Sequence, residues 1–384
     1  MKPVPGVQLQ GRWESMNTHQ HMLCVKALTQ LTREMCQLQF PAYGSIYFND
    51  APIPEASKID LGNGFCLGPY CGTPAWPCHP INLQSCQANL STVESTRDLE
   101  SYCSYLISVG LAKLPSRDPP VNQTFWGSVE EHKEILDHAA KVMNALMQSP
   151  EIQSIAAPML FHPDLNKRNI YVDDNDPTKI TALIDWQAAC IEPTFAFADE
   201  DPDFVTMPQR APSLSMEDTE NNEIKIINQD VDICRQTFEV GVRGWLPTFH
   251  KARAADRILL NIFRYSSSSW RNSIIPLRQE LVDLSHRWSA LGLSGTCPYQ
   301  PSGELIRKQE KALKEFRAAQ QLKDFVVRAT NSNPDGWVDA DSWQAAMDVN
   351  KALFEEWLQS VEREDTPSKT MAKAKLLWPF DVDP

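Results

Sequence analysis

The amino-acid sequence predicts an α+β protein, mainly helical, with one small β-hairpin beside a dense group of polar residues. Three observations carry this reading. Apolar residues recur at helical spacing in Met22, Val25, Leu28, Leu31, Met35 and Leu38. Two capping-box patterns, "STVE" at Ser91–Glu94 and "SVEE" at Ser128–Glu131, mark helix starts, because each end of the box satisfies a backbone donor left open by the first turn. The stretch "NIYVDDNDPTKITALID" reads as strand, turn and strand.

In chain order, the first twenty residues read as an extended lead-in, with Pro3 and Pro5 opposing helix. A helix follows over 18–38. Residues 40–90 are rich in Pro, Gly and aromatics and read as loops with short strands. Residues 1–90 thus form a lead-in, a first helix and loops, and 91–360 form the helical body. Within that body, the helix from Ser128 carries Ile135, Leu136, Ala139, Val142, Met143 and Leu146 on one side and is expected to stop near Pro150. In the hairpin, Ile170 and Val172 share a face, and "DDNDPT" makes the turn. An acidic, Pro-containing loop follows Glu192, helices run from Asp230 to Leu358, and 361–384 read as a polar tail. The sequence carries no internal repeat.

Composition narrows the function classes. At 384 residues, 42% hydrophobic and 22% charged, the chain can bury a large core without staples. A net charge of −13 argues against nucleic acid or an anionic membrane as the main partner, since both reward clustered Lys and Arg. No apolar run approaches the ~18 residues of a membrane span. The N-terminus has neither a secretory apolar core nor the Arg-rich pattern of a transit peptide, which fits an intracellular protein or one whose leader is missing from this chain.

Several local patterns reduce to ordinary structure. Ten cysteines lack C-x-x-C pairs, and the gaps in Cys66, Cys71, Cys78 and Cys86, even with His79 adjacent, do not match zinc knuckles. Asn331, Asn333, Asp335 and Gly336 fall at calcium-loop positions, but Ser342 stands where the bidentate Glu belongs, so a turn is expected. "GNGFCLG", with Gly62, Gly64 and Gly68, also reads as a turn.

The chemistry concentrates in "LFHPDLNKRNIYVDD" and "ITALIDWQ". Loops flanking a hairpin can bring Asp164, Asn169 and Asp185 together, giving two carboxylates and an amide oxygen. Such hard oxygens suit Mg²⁺, and a remaining carboxylate can orient a hydroxyl nucleophile. That is the parts list of phosphoryl transfer, where catalysis is mostly positioning and charge neutralisation. Each residue alone would more often be a turn former; the conjunction is what points to chemistry.

H-P-D-L-N-K-R-N followed by L-I-D-W-Q closely resembles the aminoglycoside-phosphotransferase family of kinase-fold enzymes. "PGVQL", "FPAYGSIYF" and "GPYCG" resemble its fungal branch, which includes the altered-inheritance-of-mitochondria protein nine. The resemblance implies the C-terminal lobe of a protein-kinase-like fold, with a catalytic loop over 160–187. It implies Asp164 as catalytic base, Asn169 and Asp185 as Mg²⁺ ligands, His162 as a brace for the catalytic loop, and Trp186 packed beneath the metal. ATP and Mg²⁺ are the implied cofactors, and a hydroxyl on an unknown small molecule is the implied acceptor. A mitochondrial location is implied by the branch alone.

A kinase fold also has an N-terminal lobe with a glycine loop, a strand Lys and a helix Glu. Only 161 residues precede His162, and most resemble the helical lobe; Lys26 falls on a predicted helix. The expectation is therefore a chain without the nucleotide lobe and with weak or no catalysis. The alternative is a non-catalytic pseudokinase or interaction module, with a protein partner or a second copy covering the surface that the lobe would cover.

Overall fold

Local signals set where each element begins. The computed structural model describes residues 4–72, 96–118, 127–206, 218–363 and 368–382. Strand β1 (Val7–Gln8) and the short helix α1 (Leu9–Trp13) lead into α2 (Thr18–Cys36). Asn17 caps α2 reciprocally with Gln20, each side chain accepting the other's backbone N–H at 3.0 Å. β2 (Ser45–Phe48), β3 (Ile59–Gly62) and β4 (Phe65–Gly68) then form an antiparallel sheet in the order β2-β4-β3. The glycines of "GNGFCLG" turn the β3–β4 hairpin, where Gly62, Asn63 and Gly64 all take positive φ.

Helix α3 (Leu99–Ala112) begins at Asp98, which shares a reciprocal cap with Ser101; the box expected at Ser91–Glu94 lies outside the described residues. Helix α4 (Val129–Leu146) starts at Ser128, capped against Glu131, and buries the apolar stripe that its sequence predicts. α4 ends at Leu146, shortly before Pro150 as its sequence predicts, and Pro150 opens the single-turn α5 (Pro150–Gln153) at the position where a missing N–H costs nothing.

Four short strands follow: β5 (Pro158–Leu160), β6 (Ile170–Val172), β7 (Ile180–Leu183) and β8 (Ile191–Pro193). β6 and β7 are the antiparallel hairpin, with β1 added on the far side of β6, while β5 pairs with β8. Asp173 builds the hairpin turn by accepting from the Asn175 and Asp176 amides at 2.9 and 3.1 Å.

The remaining α-helices of the described chain are α6 (Asp218–Trp245), α7 (Pro247–Ala254), α8 (Arg257–Ser266), α9 (Ser269–Asn272), α10 (Ile274–Arg287), α11 (Gly303–Thr330), α12 (Trp343–Arg363) and α13 (Ser368–Leu377). The protein is thus α+β and mainly helical. No helix among the described residues is long and apolar enough to cross a membrane. The stretch 361–384, read as a polar tail, departs from that expectation. It contains α13, and Trp378 is buried with its ring 5.3 Å from Phe354. The Trp378 indole donates to Asn350 Oδ1 at 3.0 Å, while Asn350 Nδ2 donates to the Asp381 carbonyl at 2.8 Å. One buried aromatic in a lysine-rich stretch anchors the helix without giving it an apolar period.

Two main cores form, beside a small third cluster of Ala42, Leu67 and Ile191. The larger joins α3, α4, α8 and α10 around Leu106, Leu136, Met143, Ile262 and Leu277. The second draws Leu9, Val25, Leu28, Phe161, Leu165, Ile170, Val172, Phe238 and Phe249 together beneath the hairpin. This second core carries the candidate site.

Candidate functional site

The loop between β5 and β6 is pinned from below. Phe161 and Leu165 are buried in the second core, so the residues between them are held at its edge. His162 is buried as well, and both ring nitrogens are committed. Its Nε2–H donates to the Ile184 carbonyl at 2.9 Å, and its Nδ1 accepts the Asp164 amide at 3.1 Å. These partners fix one tautomer, and burial lowers the pKa, so the ring is neutral near pH 7. His162 thereby ties the loop of Asp164 to the end of β7.

The Asp164 carboxylate is held by three donors. Asn166 Nδ2 donates to Oδ1. Arg168 Nη2 and Asn169 Nδ2 reach Oδ2 at 2.5 and 2.8 Å. The Asn169 amide also donates to the Asp164 carbonyl at 3.0 Å. Asn169 is buried, and among the described residues nothing donates to its Oδ1. The Ile184 amide donates to the Asn169 carbonyl at 2.9 Å, which brings Asp185 into the same neighbourhood.

Asp185 sits just past β7 in the left-handed region, with φ of 65°. Asp and Asn are among the few non-glycine residues that accept this region readily. Its carboxylate is exposed and has no hydrogen-bond or ion-pair partner among the described residues. Trp186 meets the His162 ring edge-on at 4.6 Å, and its indole donates to the Leu183 carbonyl at 3.1 Å. Trp186 is 38% exposed and braces the loop through these two contacts.

Sequence reasoning missed three members of this cluster. Asn166 and Arg168 lay within "NKRN" but had no assigned partner. Asp203 lies in the acidic loop, where nothing in the sequence singles it out. It accepts the Lys167 amide at 3.0 Å, while its own amide donates to Asn166 Oδ1 at 3.1 Å. Lys167 lies 3.4 Å from the Asp203 carboxylate and over the Trp13 ring, clamping the loop to α1.

The donor set suits a hard cation. Asp185 and Asn169 offer oxygens not claimed by protein donors, while Asp164 is already engaged. Among the described residues no three His, Cys, Asp or Glu side chains converge as a metal cluster, so any Mg²⁺ would draw on the amide and on substrate phosphates. Elsewhere the sequence candidates separate. Cys66 is buried on β4, Cys71 turns toward Cys190, and Cys78, His79 and Cys86 lie outside the described residues. Asn333 spends its carbonyl oxygen on the Asp335 and Trp337 amides, as a turn former does.

Residues 111–196 match the phosphotransferase enzyme family. A subtelomeric hrmA-associated cluster protein of Aspergillus fumigatus is 24% identical over 94% of this chain and 78% of its own length. Altered inheritance of mitochondria protein 9, mitochondrial, of Saccharomyces cerevisiae is 23% identical over 47% of this chain and 32% of its own. The protein of that name in Lachancea thermotolerans is 22% identical over 44% of this chain and 30% of its own. No solved structure matches the chain.

Proposed function

We propose, from the match of residues 111–196 to the phosphotransferase enzyme family, that this chain is a kinase-like phosphotransferase. It would transfer a phosphate from ATP to a hydroxyl of a small-molecule acceptor. The observation that carries the reading is the Asp164 carboxylate, oriented by Asn166, Arg168 and Asn169 and tied through Ile184 to the turn of Asp185.

A carboxylate has about four lone-pair positions, and three of Asp164's are taken. The remaining one can accept the hydrogen bond of an incoming hydroxyl and then its proton. Arg168 and Asn169 hold the acid in place, and neutral His162 supports the loop without entering proton transfer. Asn169 Oδ1 and Asp185 would hold Mg²⁺, which when bound neutralises charge on the transferring phosphate. The left-handed backbone of Asp185 presents its carboxylate outward for that role.

The test is a calorimetric titration of ATP with and without Mg²⁺, on wild type and on Asp185→Asn. Mg²⁺-dependent binding in wild type that disappears in the variant supports the assignment; equal binding in both rules out Asp185 as a ligand. Asp164→Ala should abolish transfer while retaining nucleotide binding. A second reading, a non-catalytic kinase-like module, draws support from the 2.5 Å Arg168–Asp164 ion pair, which occupies one oxygen of the base. Nucleotide binding without turnover on a broad panel of hydroxyl acceptors would favour it. The mitochondrial location named for the two yeast relatives is a further part of the proposal, and organelle fractionation checks it.

A further inference from the structure

Two thiols far apart in the sequence meet beside the segment that carries Asp185. Cys71 follows β4 and is exposed, whereas Cys190 precedes β8 and is buried. The β2–β4 ladder and the bridge between Gly44 and Ile191 bring their backbones together. Between them sits the Ser45 hydroxyl, 3.2 Å from the Cys190 sulfur and accepting the Cys71 amide at 3.0 Å.

The chemistry of the two sulfurs diverges. Its neighbours Cys190 and Ser45 favour the Cys71 thiolate and bring its pKa down to about 6. Donors aimed at a sulfur favour the thiolate, which is the nucleophile in oxidation and exchange. The same contact with Cys71, and then burial, push Cys190 the other way. One thiol is exposed and favours the thiolate; the other is buried and favours the protonated form. Such a pairing provides an attacking sulfur and a resolving sulfur.

We propose that Cys71 and Cys190 form a peroxide-reactive site whose product is an intramolecular disulfide. The Cys71 thiolate attacks one peroxide oxygen; the O–O bond breaks, hydroxide leaves, and Cys71 becomes a sulfenic acid. The Cys190 sulfur then attacks the Cys71 sulfur. The S–S bond forms, and the sulfenic hydroxyl departs with the Cys190 proton as water. Overall, two thiols lose two electrons and two protons, and hydrogen peroxide becomes two waters. The bond would tie the end of β4 to the start of β8. It would also withdraw the Cys190 thiol from the Ala188 carbonyl, 3.4 Å away, at a residue with φ of 62°. This inference stands apart from the phosphotransfer reading and does not depend on it.

The experiment treats the full chain with hydrogen peroxide at pH 7, blocks remaining thiols and maps the peptides by mass spectrometry. The expected product is one linked pair holding Cys71 and Cys190. In Cys190→Ser, Cys71 should persist as a sulfenic acid captured by dimedone. In untreated wild type, alkylation of Cys71 should reach half its maximal rate near pH 6, against ~8.5 for an ordinary thiol. Cys71 joined to Cys66, Cys78 or Cys86 would overturn the proposal. So would Cys71 left reduced while other thiols oxidise, or dimedone capture at Cys190 instead.

Discussion

Replacing Glu192 by Gln should remove a large part of the pH dependence of stability between about pH 4.5 and 7. Glu192 lies on β8 and lines a cavity of about 220 Å³ walled by Tyr102, Tyr105, Phe195 and Phe263, with Asp199, Glu200 and Arg264 also facing it. Burial, and then the charge of Glu200, raise its pKa from 4.5 to about 7. In this window the folded protein keeps a proton that the unfolded chain has released. Stability therefore falls as pH rises from the unfolded value, and the loss is complete above about pH 7. A rise of that size corresponds to about 3 kcal/mol. Glu280, on α10, has the same sign: burial raises it to about 7 against the opposing bond from Asn261 Nδ2 at 3.1 Å. Urea unfolding at pH 5, 6, 7 and 8 should thus give Glu192→Gln a much shallower decline than wild type. Adding Glu280→Gln should take away most of what remains. A single variant that loses stability with pH as steeply as wild type would refute the reasoning.

Three further substitutions probe the frame. His162→Ala leaves the Ile184 carbonyl and the Asp164 amide without their partner, so urea unfolding should show a loss of about 3 kcal/mol, at least twice the effect of an exposed change such as His19→Ala. Gly110→Ala would set a Cβ 2.4 Å from the Ser266 carbonyl and push α3 off α8; thermal melting should detect a loss of about 2 kcal/mol. Asn350→Ala strips both partners from the bond pair holding Trp378 and Asp381, and hydrogen exchange should show faster opening of α13 with the larger core unchanged.

What could be read without coordinates was whatever the chain encodes over short distances. The start of α4 at Ser128, the shared face of Ile170 and Val172, and the turn at Asp173 follow from capping, alternation and Asx chemistry, which act over a few residues. The spacing of His162, Asp164 and Asn169 was legible for the same reason, since one loop carries all three. The sequence determined these local elements and the residue types available for chemistry. Tertiary packing decided which groups meet. Arg168 and Asn166 converge on Asp164 because Asp203 and Trp13 clamp the loop from elsewhere in the chain. Cys71 meets Cys190 because β2 joins β4 and Gly44 pairs with Ile191. Trp378 anchors α13 through one buried amide. Contacts of this kind are set by how two surfaces fit when apolar area leaves water, and that fit is not a property of any single stretch.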